Sequence, residues 1–378
     1  MSARVAIRKC PSYDEALVAE RVSEAVELLG GMERFVSPGE RILIKPNLLS
    51  AKPPEAAVTT HPAVVKAVIE LVRRAGAEPL VGDSPGIGSA RKIAQRCGVM
   101  DACLETGTEF VEFKNLVRVD NPDGAVFKRL EIAGEVLDAD GVINLPKLKT
   151  HAQMLLTMAV KNVFGCVPGA RKPQWHLTAG IDTGRFADML VDLYRFVAPR
   201  LNILDAVVSM EGNGPASGEP RHTGLVMASD DAPALDAVAA SLLGVAPRRL
   251  ALLEAARRRR AGETDLARIE VAGEDPETCR IGGFELPPLV GLNFAERLPP
   301  FLEKRLRKAL TSRPHIDEGA CTLCGVCVSV CPAGVMEKRD AIVIDYDGCI
   351  RCYCCQEACP SRAIDTREGW LKRLIPGM

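Results

Sequence analysis

The sequence has no surplus of either charge: Lys plus Arg number 48 and Asp plus Glu 49 over 378 residues, a formal net charge of −1. With no basic excess to neutralise a phosphate backbone, nucleic acid is not an expected partner. No apolar run approaches the roughly 18 residues that a membrane span needs, so no membrane span is expected. Met1–Ile7 lacks the apolar stretch of a secretory signal and reads as a first strand, which makes a cytoplasmic location the expectation. No G-x-x-x-x-G-K-[ST] phosphate loop occurs. The glycine-rich turn Gly82–Gly88 has Arg91 where a dinucleotide fingerprint needs its third glycine. What is present is ordinary for a globular chain. Hydrophobic residues make up 47% and charged residues 26%, which excludes disordered, collagen-like and coiled-coil classes. The length implies two domains, or three.

Residues 1–295 read as an α/β body. Short apolar strands are expected at Val5–Lys9, Arg41–Lys45, Pro79–Gly82, Val126–Ile132, Gly141–Leu145, Leu201–Val208, Gly224–Ala228 and Ala267–Val271. Helical periodicity lies between them, at Pro62–Arg74, Asp182–Val197 and Pro233–Leu243. Strands apolar throughout and alternating with helices imply crossover connections and a mostly parallel sheet covered on both faces. A basic connector follows at 296–314, then a small domain at 315–366 and a tail at 367–378 whose Trp370, Leu371, Leu374 and Ile375 would pin it by apolar contact.

The cysteines are concentrated. Of 14, nine fall between Cys321 and Cys359. Without a secretory signal, metal ligation is expected rather than disulfides. The region repeats itself at an offset of 28 residues (349 minus 321), and each copy reads C-x2-C-x2-C-x3-C-P. Three closely spaced thiolates wrap one cubane iron–sulfur cluster, and the fourth, before proline, ligates the other. The expected sets are therefore Cys321, Cys324, Cys327 and Cys359 for one 4Fe–4S cluster, and Cys349, Cys352, Cys355 and Cys331 for a second. Structural zinc usually uses two separated ligand pairs, which fits this spacing poorly. Cys354, opposite Val326 in the repeat, is read as a small buried residue rather than a ligand. The segment from about Arg313 to Thr366 resembles bacterial-type two-cluster ferredoxins, which implies an α+β fold and one-electron transfer with a donor or acceptor protein.

In open α/β sheets, ligands bind beyond the carboxyl ends of strands. Four such ends carry polar residues: Lys45-Pro46-Asn47, Gly82-Asp83-Ser84-Pro85, Pro146-Lys147-Leu148-Lys149-Thr150-His151, and Gly212-Asn213-Gly214-Pro215. Lysine, amide, hydroxyl and backbone N–H groups gathered there suit a phosphate or carboxylate. Each also has a plainer reading, as solvated strand-end charges, turn caps or a half-buried histidine. Lys147, Lys149 and His151 are the expected catalytic groups, and Lys45, Asn47, Asp83, Ser84 and Asn213 the expected ligand-binding ones. Lys161, Asn162 and Cys166 are placed over the same pocket, with no evident base to activate Cys166. These segments, with Thr60-His61-Pro62 and Lys161-Asn162-Val163-Phe164-Gly165, resemble the family known as domain of unknown function 362 over roughly residues 4–290. Its members often carry a ferredoxin-like tail, which supports the architecture and the site's location without supplying a reaction. Two functions stand open. One is a redox enzyme, or enzyme component, passing low-potential electrons to an anionic ligand in the body. The other is a non-catalytic electron carrier or redox-responsive binding protein.

Overall fold

The computed structural model describes residues 3–288 and 312–367. The body carries strands β1 (Ala3–Lys9), β2 (Arg41–Pro46), β3 (Glu78–Asp83), β4 (Glu109–Glu112), β5 (Leu116–Asp120), β6 (Arg129–Ala133), β7 (Gly141–Leu145), β8 (Lys147–His151), β9 (Leu155–Thr157), β10 (Leu201–Glu211), β11 (Glu219–Ser229) and β12 (Ile269–Gly273). The main sheet runs β12-β1-β11-β10-β7-β2-β3-β4, with β8 and β9 added beside β10. It is parallel except around β11, which lies antiparallel to both β1 and β10, and at the β8–β9 pair. The fold is thus the expected mostly parallel α/β sheet.

Both faces of the sheet are covered, as the unbroken apolar strands demand. In β2, Ile42 and Ile44 face one core while Leu43 faces the other. One core is packed by the helix Pro62–Arg74, whose boundaries match the expected ones. Pro62 fits the first turn, where its missing N–H is no loss, and the His61 ring accepts from the Ala63 N–H at 3.2 Å. The other core is packed by Thr183–Val197, Ala232–Leu242 and Ala251–Arg259.

Three expected elements differ. The strand foreseen at Val126–Ile132 forms as β6, which pairs only with β5 in a separate hairpin. Residues 125–127 instead cap a buried carboxylate. The last body strand starts at Ile269, because Leu266–Arg268 makes a turn of 3-10 helix capped by Asp265. Lys147–His151, foreseen as a polar segment after a strand, is itself strand β8, all five residues buried. Pro146 bends the chain there, and the pairing continues against β10 at Asp205 and Met210.

The small domain pairs β13 (Arg313–Ile316) with β16 (Ile364–Arg367), and β14 (Met336–Lys338) with β15 (Ile342–Ile344), around two short helices, Val326–Ser329 and Cys354–Ala358. This is the expected α+β unit. The basic connector at 296–314, apart from Ser312–Pro314, lies outside the described residues, as does the tail beyond Arg367 with Trp370, Leu371, Leu374 and Ile375.

Asp192 shows what holds the β5–β6 side in place. Its carboxylate is buried and accepts from the N–H groups of Ala125, Val126 and Phe127 at 2.7, 2.9 and 3.0 Å, while Arg259 pairs with it. Removing one partner of a buried charge network strands the others. Asp192→Ala should therefore lower the unfolding free energy by about 3–5 kcal/mol in urea titrations. A loss under about 1 kcal/mol, the worth of one ordinary hydrogen bond, would contradict this role.

Candidate functional site

Side chains alternate along a strand, so Lys147, Lys149 and His151 share one face of β8. They meet different surroundings. The Lys147 amine lies 2.9 Å from Asp205 Oδ2 and 2.6 Å from the Tyr13 hydroxyl, which itself donates to Asp205 Oδ1 at 2.6 Å. Tyr13 stacks on His61 at 3.6 Å. That amine is committed to Asp205 and Tyr13, although Lys147, expected as a catalytic group, also lines the cavity described below. Lys45 is similarly committed, 2.9 Å from Asp83 Oδ1. Gly165 closes over this pair, where a Cβ would fall 1.9 Å from Asp83 Oδ1 and 2.5 Å from the Lys45 amine. No residue with a side chain fits there without moving the pair.

Lys149 is the end of a line of amides. Its amine donates to Asn47 Oδ1 at 2.7 Å and to the Val58 carbonyl at 2.6 Å. The Asn47 amide donates to Asn162 at 3.0 Å, Asn162 to Asn144 at 2.8 Å, Asn144 to Asn202 at 2.9 Å, and Asn202 to the Ser229 carbonyl at 3.1 Å. Each amide thus has its oxygen toward Lys149's end of the line.

Beyond these groups opens a cavity of about 910 Å³ counting its mouth. Asn47, Asp83, Ser84, Lys149 and His151 line it as expected, with Lys161, Lys172, His176 and Phe164. The amines of Lys161 and Lys172 sit 5.8 and 5.5 Å from the centre of the Phe164 ring. Lys172 also donates to the Ser84 carbonyl. Lys161 donates no hydrogen bond and forms no ion pair among the described residues. Once Lys45–Asp83 and Lys147–Asp205 are paired off, Lys149, Lys161 and Lys172 face a single carboxylate, Glu357, from the small domain.

Burial shapes the charge states. It draws Lys149 down to about 7, helped by the neighbouring Lys161, and Lys172 down to about 8. Burial lowers His151 to about 4, leaving a neutral ring at pH 7. His151 Nδ1 accepts from the N–H groups of Gln153 and Met154 at 3.1 and 3.3 Å, so the ring proton belongs on Nε2, 3.1 Å from Glu357 Oε1. Burial alone would raise Glu357, but its contact with His151 and the charge of Lys161 outweigh it and hold it near 2. Cys166 is pushed up to about 12 by burial, an inert thiol.

The cysteines divide as their spacing implied. One small chamber is lined by Cys321, Cys324, Cys327 and Cys359, the other by Cys331, Cys349, Cys352 and Cys355. Four soft thiols in an apolar setting, with Ile316 and Ile342 in one and Val335 and Ile344 in the other, suit an iron–sulfur cluster. The domain carrying them docks on the strand-end face of the body. Gln356 Nε2 donates to the Asn213 carbonyl and Oδ1 at 2.8 and 2.7 Å, and Asn213 Nδ2 donates to Asp365 at 2.8 Å. Buried Tyr353 packs on Ala152. Asn213, expected to bind a ligand, therefore binds the second domain and is absent from the cavity wall. Lys172, His176 and Glu357 are wall residues that sequence reasoning missed. For Glu357 a signal existed: it stands where the first Cys repeat has Ser329.

The split between Lys147 and its neighbours is testable. Lys147→Met leaves Asp205 buried and unpaired, so it should lower stability by about 3–5 kcal/mol, and adding Asp205→Asn should restore much of the loss. Urea unfolding of the single and double variants measures this. A stable single variant that fails only in ligand binding would show that Lys147, which lines the cavity, serves the ligand rather than the fold.

Two family models agree with this two-part architecture. The family model for a 4Fe-4S dicluster domain matches residues 313–360, so the small domain is an iron–sulfur module. The Thylakoid-associated protein of Synechocystis sp. (strain ATCC 27184 / PCC 6803 / Kazusa) is 44% identical over 254 residues, covering 67% of this chain and 78% of that protein. Among solved structures, the lactate racemase apoprotein from Thermoanaerobacterium thermosaccharolyticum is 12% identical at a TM-score of 0.40, covering 61% of this chain and 54% of that one. A protein from Thermotoga maritima is 12% identical at a TM-score of 0.36, covering 57% and 55%. This chain thus spans about half the length of each of those structures. A second family model matches residues 42–241, more than half of the chain and the whole stretch that supplies the lysines, amides and Asp83 of the cavity; the chain belongs to the family described as Domain of unknown function (DUF362).

Proposed function

We propose that this chain is an iron–sulfur redox protein, an enzyme or enzyme component, that binds an anionic small molecule in the cavity between its two domains. The observation that carries the anion is Lys161. A half-buried amine with no internal partner, beside two further amines, is costly unless an anion joins it. The cavity walls mix apolar residues such as Leu48, Met158 and Phe164 with converging polar and charged groups, as a site for a charged small molecule requires.

Two 4Fe–4S clusters are proposed, one on each set of four cysteines. When bound, they supply one-electron transfer at a potential that hydrogen bonds, charge and exposure tune. The chain's own contribution is the shared wall. Val330, Cys354 and Glu357 border the cavity, and their neighbours in sequence, Cys331, Cys352 and Cys355, line one chamber. That proximity, with an enclosed cavity, favours a redox role for the bound anion over a free carrier. Lys161 and Lys172 orient the anion, Phe164 offers an apolar face, and the docked domain excludes water. A redox partner protein completes the proposal. Among the described residues no helix is long and apolar enough to cross a membrane. A cytoplasmic position is part of the proposal.

Anaerobically reconstituted protein should hold about eight irons and as much sulfide. Cys354→Ala should leave that count unchanged; stoichiometric zinc without sulfide would end the proposal. In calorimetric titrations with oxalate as an anionic probe, Lys161→Met should weaken binding about tenfold or more, the worth of a charge-assisted contact. Equal affinity in both proteins would remove the anion from this cavity.

A further inference from the structure

Of the amines that line the cavity, Lys149 has two engaged N–H bonds with neither acceptor charged, whereas the Lys147 amine is paired with the Asp205 carboxylate. Lys149 is almost wholly buried, at 1% exposure. Two of its N–H bonds are engaged, at 2.7 Å by Asn47 Oδ1 and at 2.6 Å by the Val58 carbonyl. Neither acceptor can turn away. Asn47 is held by the amide line, and Val58 offers a backbone carbonyl. An sp³ nitrogen with two hydrogens so placed has one tetrahedral corner left, and Lys149 borders the cavity. If that corner carries a lone pair, no internal hydrogen bond is lost. The site is therefore built to hold a neutral amine as readily as an ammonium.

The surroundings agree. Lys161 and Lys147 add positive charge, Glu357 and Asp83 negative charge, and burial with Lys161 leads the balance toward the neutral form. A neutral amine bordering a ligand cavity is a nucleophile toward carbonyl carbon. Lys161, an uncommitted cation on the same cavity wall, asks for an anion on the same molecule.

We propose that Lys149 forms an imine with a small 2-oxo carboxylic acid whose carboxylate pairs with Lys161. The assignment rests on the anion site proposed above and names its ligand class. In the step, Lys149 Nζ attacks the carbonyl carbon and a C–N bond forms. The carbonyl oxygen leaves as water, carrying away the two amine hydrogens, or one of them and a proton from solvent if the product is the protonated imine. Nothing is oxidised or reduced. Lys149 donates to Asn47 and Val58, and the single N–H of the protonated imine can keep one of these two hydrogen bonds.

The experiment is trapping. The full chain, reconstituted with iron and sulfide under anaerobic conditions, is incubated with pyruvate or glyoxylate and cyanoborohydride, then digested and mapped by mass spectrometry. The expected result is a reduced adduct on the peptide containing Lys149. Trapping should rise with pH through about 7 and level off, where an ordinary lysine would still be climbing at pH 9. Lys161→Met should cut trapping at low keto acid about tenfold, as loss of one charged contact would. Mapping the wild-type chain identifies the site without relying on Lys149→Met, a change that strips two buried contacts. An adduct on Lys161 or Lys172, or adducts spread over surface lysines, overturns the assignment. So does no adduct. If no adduct forms but oxalate still binds with Lys161-dependent affinity, the imine falls and the anion site stands. If oxalate fails to bind as well, both fall.

Discussion

One line of side-chain amides, Asn202 to Asn144 to Asn162 to Asn47, ends on the Lys149 amine, and every link donates in the same direction. The members come from β10, β7, the helix Ala159–Asn162, the loop after β2, and β8. An amide has one donor end and one acceptor end, so turning any one of them forces its neighbours to turn or leaves buried groups unpaired at about 1–3 kcal/mol each. Asn202, 0% exposed and bonded to the Ser229 carbonyl, anchors the far end in the sheet. The line therefore sets which atoms Asn47 and Asn162, the two amides on the cavity wall, present there. It also joins three neighbouring strands at the ends where ligands of α/β sheets bind.

Around that line, charge is placed with care for its partners. Lys45 and Lys147 are as buried as any leucine of the core, and each has its own carboxylate, Asp83 and Asp205. Breaking such a pair leaves the survivor stranded, which is why Gly165 and the Tyr13–His61 stack matter although neither is charged at pH 7. The unpaired amines gather where space remains. The small domain then closes that space with Glu357, fixed 3.1 Å from His151 Nε2. His151 thereby acts across the domain boundary, and its Nδ1 is already occupied by two backbone N–H groups.

Much of this was legible in the residues and some was not. Pro62–Arg74 and Gly141–Leu145 form with the boundaries their patterns implied, because apolar periodicity and a proline at the first turn act locally. The grouping of the cysteines into two chambers matches what their spacing implies, since three closely spaced thiolates can wrap one cubane and the fourth reaches the other. Lys147–His151 was placed correctly at a strand end but not as a strand. A run with two lysines and a histidine reads as solvent-facing, and its burial depends on Asp205, Asn47 and Glu357, which lie far away in sequence. Asn213 is the converse case. Its turn looks like a ligand loop, and only the docked domain reveals that Gln356 takes its acceptors. Glu357 and Cys354 were visible as departures from the repeat, at the places of Ser329 and Val326, but the offset alone gives no reason for them.

The account stands on an anion held between the two domains. The most direct measurement is purification of the full chain without oxygen, followed by native mass spectrometry and identification of whatever is released on denaturation. The account expects a small acid retained in proportion to protein, and lost from Lys161→Met while the cluster absorbance stays. A chain that comes through with iron and sulfide but no acid, and that takes up none when small acids are added, would contradict it.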